Sequence, residues 1–109
     1  MASDLIKNVT DADFQANVLD SDTPVLVDFW ATWCAPCRAL APKVEAIATQ
    51  YEGRVTVAKV DIDKNRKTAM NYNVRSIPTV LVFKGGEVVG QVVGNVDQAR
   101  LDALVTGAL

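Results

Sequence analysis

The chain has 109 residues, 50% of them apolar and 22% charged, with a formal charge of −2. That length fits one domain over residues 1–109 with a core of its own. The scattered basic residues exclude the stripe that nucleic acid or an anionic membrane would need. There are two cysteines and no histidine, so acyl chemistry of the Cys–His kind is excluded, and a four-ligand zinc site would have to share metal between chains.

The opening MASDLIKNVT shows no basic region followed by an apolar one, the pattern of a secretory leader. No apolar run approaches the roughly 20 residues of a membrane span. The expected location is the cytoplasm, whose reducing conditions make a close cysteine pair catalytic or metal-binding rather than structural. Residues 5–9 predict a short edge strand. Thr10 with Asp13 resembles a capping box opening a helix that runs to about Leu19. Pro24 leads into residues 25–31, β-branched and nearly all apolar, the pattern of a strand covered on both faces. Beyond the cysteines, Leu40, Val44, Ile47, Ala48 and Tyr51 recur at helical spacing, and Gly53 ends that helix. Residues 55–62 read as a strand and 65–71 as a short helix. Pro78 opens a strand to Phe83, Gly85-Gly86 makes a hairpin turn, and residues 87–93 return antiparallel. Asn95 or Asp97 caps a last helix carrying Leu101, Leu104 and Val105. The order βαβαβαββα predicts an α/β fold with one mixed five-stranded sheet and helices on both faces.

Both cysteines lie in Trp33-Cys34-Ala35-Pro36-Cys37-Arg38. If Cys34 begins the helix, Cys34 and Cys37 share one helix face at a separation of roughly 5–6 Å, within disulfide range. A disulfide closing so small a loop restrains little of the unfolded chain, so it is a poor staple. Pro36 fits the first helical turn, where its missing N–H loses no bond. The free N–H groups and macrodipole there stabilise an anion, here the Cys34 thiolate, with the Arg38 cation nearby. A thiolate is the species that attacks a disulfide. The spacing therefore offers a nucleophile and, one turn deeper, a resolving thiol. An incidental pair of core thiols is the plainer alternative.

Residues 25–42, VLVDFWATWCAPCRALAP, resemble the active-site segment of the thioredoxin family. The resemblance continues through VAKVDID at 57–63, SIPTVLVFKGGEVV at 76–89 and VVGN at 92–95, in order and without insertion. It implies a thioredoxin fold and a protein-disulfide reductase with a redox-active Cys34–Cys37 disulfide, no bound cofactor and no metal. Its partners would be disulfide-containing proteins and an NADPH-dependent, flavin-containing thioredoxin reductase, and it would act as a monomer.

Asp28 is a carboxylate inside an apolar strand, where desolvation raises a pKa. The pattern alone also allows an exposed strand end. The resemblance implies that Asp28 lies behind the resolving cysteine and takes its proton, with Lys59 near enough to offset part of its burial. It further implies a cis bond before Pro78, in a loop of Ile77, Pro78 and Thr79 that faces the dithiol and offers backbone groups to an extended substrate. Trp33, Ala35, Pro36, Ile62, Ile77, Val93 and Gly94 would form the apolar docking surface around Cys34. Pro42 interrupts one helical hydrogen bond and reads as structural, and Trp30 as packing. The family most often has Gly where this chain has Ala35, and commonly Gly where it has Ser76. Two other classes stand beside the reductase: an oxidant or isomerase of an oxidising compartment, and a binding module that uses the apolar patch without chemistry.

Overall fold

Strand β2 (Val25–Trp30) forms the middle of the sheet, and its residues 25–29 are buried. It pairs in parallel with β3 (Thr56–Asp61), which pairs in parallel with the short edge strand β1 (Ile6–Asn8). On its other side it pairs antiparallel with β4 (Thr79–Lys84), which pairs antiparallel with β5 (Glu87–Val93). The order is β1-β3-β2-β4-β5 in one mixed sheet. These relations come from a computed structural model that describes residues 2–109.

The sequence patterns place the layers. Helix α1 (Ala35–Gln50) buries Leu40, Val44, Ile47 and Ala48 on one stripe and, with α3 (Gln98–Thr106), covers the sheet face of Leu26, Val57, Val80 and Val82. The opposite face carries Val25, Val27, Phe29, Val60 and Phe83. It is covered by Phe14, Val18 and, from α2 (Arg66–Asn71), Ala69. Phe14, Tyr72 and Phe83 close that side with ring centroids 5.1–5.6 Å apart, the tilted and edge-on geometry that aromatic quadrupoles favour. Helices on both faces of a mixed five-stranded sheet match the expectation. Gly85 and Gly86 have φ of +61° and +82°, so the hairpin needs two residues that tolerate the left-handed region.

The differences are local. The first helix is not an α-helix from Thr10. One arm of the expected capping box is formed, the Thr10 N–H donating to Asp13 Oδ1 at 2.7 Å, but residues 11–13 are turns and Gln15–Leu19 is a π-turn closed by Asp20 N–H to the Gln15 carbonyl at 2.9 Å. The wider turn brings Phe14, Val18 and Leu19, spaced four and five apart, onto the same core, which a 3.6-residue repeat serves less well. Leu5 closes a 3₁₀ turn (Ala2–Leu5) instead of opening β1. Of the two candidate caps for α3, Asp97 fills the position, accepting from Arg100 N–H at 2.9 Å.

Candidate active site

Strand β2 delivers the chain to Ala31, whose carbonyl accepts from Cys34 N–H at 3.2 Å. That turn sets Cys34 in extended backbone (φ −92°, ψ 107°) as the N-cap of α1. Cys34 is thus one residue outside the helix it was expected to begin. Its sulfur accepts from Cys37 N–H at 3.2 Å, and its carbonyl from Arg38 N–H at 3.2 Å. Pro36 occupies the first helical turn, where no hydrogen bond is lost.

Cys34 and Cys37 are joined as a disulfide, with their Cα atoms 5.2 Å apart. Both are buried, at 4% and 3% exposure, against Ala31, Trp30, Ile62 and Ile77. Arg38 is exposed and donates to the Thr32 carbonyl at 3.0 Å, which holds its charge beside the loop that enters the site.

Facing Cys34 is the Ile77-Pro78 peptide, which is cis. The Ile77 carbonyl oxygen lies 3.8 Å from Cys34 Sγ. Gly94 donates its N–H to the Pro78 carbonyl at 2.8 Å, so the end of β5 is tied to the same loop. Gly94 has φ +91°, and a Cβ there would meet nothing within 4 Å. The glycine answers to its backbone angle and leaves open space beside the loop. Trp33 is 66% exposed and held by its Nε1–H donating to Asp63 Oδ2 at 2.8 Å. Ala35, Pro36 and Val93 are also exposed, while Ile62, Ile77 and Gly94 are half-buried. Thr79 departs from its expected place on the docking surface. It is 3% exposed, and its hydroxyl donates to the Ser76 carbonyl, so its side chain braces the loop from within.

Asp28 is wholly buried, which removes the exposed-strand-end alternative. Its register partners are Lys59 in β3 and Val80 in β4. Directly opposed residues share a sheet face, and Val80 belongs to the core under α1 and α3. Asp28 therefore points to the side from which α1 presents Cys37. Neither carboxylate oxygen has a hydrogen-bond partner among the described residues. Burial pushes its pKa up to about 6, with the Lys59 charge opposing the shift. The Lys59 ammonium itself sits 5.0 Å above the Trp30 ring centroid, a cation–π position.

Two contacts lie beyond what the residue pattern suggests. The Asp63 anchor of Trp33 has one faint signal, an aspartate in a loop one residue beyond Ile62. Lys43, by pattern an ordinary polar position of the helix, is bonded across to the 95–96 segment.

A disulfide at a helix N-cap, faced by an open peptide loop and ringed by apolar side chains, defines a protein-disulfide oxidoreductase. The thioredoxin family profile matches residues 5–107, and the chain belongs to the thioredoxin family. It is 53% identical over 100 residues to "Thioredoxin C-2" of Corynebacterium nephridii, covering 92% of this chain and 93% of that protein. To "Thioredoxin 1" of Nostoc sp. it is 57% identical over 93 residues, covering 85% and 87%. To "Thioredoxin" of Synechocystis sp. it is 56% identical over the same length, also 85% and 87%.

The activity is dithiol–disulfide exchange at the Cys34–Cys37 pair, reducing disulfide-bearing proteins, with a reductase returning the pair to the dithiol. Among the described residues no group of three or more His, Cys, Asp or Glu is placed to hold a metal ion. No helix among them is long and apolar enough to cross a membrane.

Proposed function

We propose that Cys34 is the attacking thiolate, Cys37 the resolving thiol, and Asp28 the group that takes the Cys37 proton. The Cys34 thiolate bonds to one sulfur of a substrate disulfide, and the other substrate sulfur leaves as a thiolate. Cys37 then gives its proton to Asp28 through water and attacks Cys34 Sγ. The Cys34–Cys37 disulfide forms, and the second substrate sulfur leaves. Two electrons pass from the protein dithiol to the substrate.

The observation that carries this reading is the Asp28 carboxyl, wholly buried with neither oxygen hydrogen-bonded to a described residue. A carboxylate kept for structure would be supplied with donors. One held near pH 6 by burial takes and returns a proton readily at neutral pH. Lys59 limits how far that pKa climbs and keeps a useful fraction ionised.

Substrate proteins dock an extended segment on Trp33, Ala35, Pro36, Ile62, Val93 and Gly94, pairing with the Ile77 backbone ahead of Pro78. The protein works as a one-domain monomer in the cytoplasm, with no bound cofactor, and an NADPH-dependent flavin reductase recharges it. Single-turnover oxidation of the pre-reduced protein by insulin tests the role of Asp28. In the wild type the resolution rate should rise with pH through about 6, the Asp28 value. In Asp28→Asn that inflection should vanish and the mixed disulfide should accumulate. An unchanged profile in the variant would remove Asp28 from the mechanism.

A further inference from the structure

We infer that Lys43 is a positioning residue for protein substrates, lashing helix α1 to the loop that carries one wall of the docking surface. The inference rests on the docking reading of Val93 and Gly94 given above. Lys43 lies six residues past Cys37 in α1 and is half-buried. Its ammonium donates to Asn95 Oδ1 at 3.0 Å and to the Val96 carbonyl at 2.9 Å. Gln98 Nε2 returns a hydrogen bond to the Lys43 carbonyl at 3.1 Å.

These three bonds join the helix that Cys34 caps and that carries Cys37 to residues 95–98. That segment follows Gly94 directly, and the Gly94 N–H is bonded to the Pro78 carbonyl at 2.8 Å. A path of hydrogen bonds thus runs from α1, through residues 94–96, to the Pro78 carbonyl, one residue beyond the Ile77 oxygen that lies 3.8 Å from Cys34 Sγ. The two walls that an extended substrate must enter between are held in register by side chains that touch neither sulfur.

The segment's other ties are local: Val96 N–H donates to the Gly94 carbonyl at 2.9 Å and Asp97 caps α3, while Gly94 has no side chain and a positive φ, Asn95 is exposed and Val96 packs into the core below. A loop so anchored has local freedom when its polar ties are cut. Charge-assisted bonds are the stronger class of such ties, so the Lys43 ammonium supplies much of the order. A small disulfide needs only the thiolate and does not read the walls. A protein segment reads both, and its half-saturating concentration, rather than its limiting rate, should report their placement.

The test is stopped-flow oxidation of the pre-reduced protein, followed by tryptophan fluorescence, with insulin as protein disulfide and 5,5′-dithiobis(2-nitrobenzoate) as small disulfide. Lys43→Met keeps the apolar stem and removes the donors. It should raise the half-saturating insulin concentration about five-fold, the worth of a hydrogen bond or two, leaving the limiting rate and the small-disulfide rate unchanged. Lys43→Arg, which keeps charged donors, should restore the wild-type value, and Asn95→Ala should reproduce part of the defect. Val93→Asp tests the docking surface itself and should weaken insulin saturation on its own. If Val93→Asp weakens it and Lys43→Met does not, the lash is overturned and the surface stands. If neither variant changes it, the docking reading falls and this inference with it. If Lys43→Met slows insulin and the small disulfide equally, the residue supports the whole site and the positioning role is overturned.

Discussion

Helices α1 and α3 begin in the same way with different atoms. Cys34 caps α1 from extended backbone, its sulfur accepting from the N–H three residues on at 3.2 Å. Asp97 caps α3 from extended backbone, its carboxylate accepting from the N–H three residues on at 2.9 Å. The Asp97 oxygen takes no part in electron exchange, so its bond to the helix contributes to stability alone. In the mechanism we propose, the Cys34 sulfur is neutral in the disulfide and charged when it attacks as a thiolate. The same amide and the same helix dipole therefore act unequally on the two redox states and favour the thiolate. A common stabilising device becomes a reactive one when its acceptor atom can change charge.

The largest expected effect comes from making the first cap behave like the second. In Cys34→Ser the hydroxyl still caps the helix but provides no thiolate. Insulin reduction, followed as turbidity with dithiothreitol, should fall to the rate of dithiothreitol alone, while Asp97→Ala, which leaves both cysteines in place, should still reduce insulin. Activity surviving in Cys34→Ser would show that the chemistry is not at this cap.

Asp28 sharpens the comparison from the other side, as a carboxylate with no amide at all. Its pKa is raised by burial to about 6 from 3.8. A raised carboxyl pKa means that the folded state prefers the proton. The destabilisation is therefore absent below about pH 4, grows as pH rises, and is complete above about pH 6. Its size is about 3 kcal/mol, because each pH unit between the unfolded and folded values is worth about 1.4 kcal/mol. Denaturant unfolding should find Asp28→Asn more stable than wild type at pH 7 by up to that amount, with the gain shrinking towards zero at pH 4. A gain independent of pH would show that charge burial is not its source.

Asp97→Ala should be destabilised by about 1 kcal/mol, the usual value of an N-cap. In a domain of this size that lowers the melting midpoint by about 4–8 °C. A fall larger than that would mean that the loop before α3 depends on Asp97 for more than its cap. The smallest effect belongs to Ala35→Gly, in the first turn of α1. The helix penalty of glycine is at most about 1 kcal/mol and falls on both redox states. The measured potential should move by about 20 mV or less, and a shift above about 60 mV would show that Ala35 acts on one state selectively.

Much of this was legible in the residues. The stripe Leu40, Val44, Ile47, Ala48 and Tyr51 is a local signal, and each of those side chains is buried. Gly85-Gly86 announced its turn because few other residues adopt those angles. The spacing of Cys34 and Cys37 announced a bridge because three steps along a helix return to the same face. The first helix failed as a local reading because its form follows the demand that Phe14, Val18 and Leu19 reach one core. The inward turn of Thr79 failed for a related reason: a strand pattern gives alternation, but the hydroxyl's partner lies in the loop before it.

Asp28 divides the two kinds of information. By itself the sequence determined that a carboxylate stands in an apolar strand three elements into the chain, and that two thiols stand just beyond it. Periodicity and residue type carry such facts because they depend on neighbours a few positions away. Only the tertiary structure decided that the carboxylate is buried with no hydrogen bond to a described residue, on the face covered by α1 and opposite Lys59. The same holds for the peptide before Pro78, which packs across from Cys34, and for Lys43, which reaches the loop beyond Gly94. These are contacts between residues some 30 to 50 positions apart. Sheet register and helix packing set them, and no local run of sequence encodes that geometry.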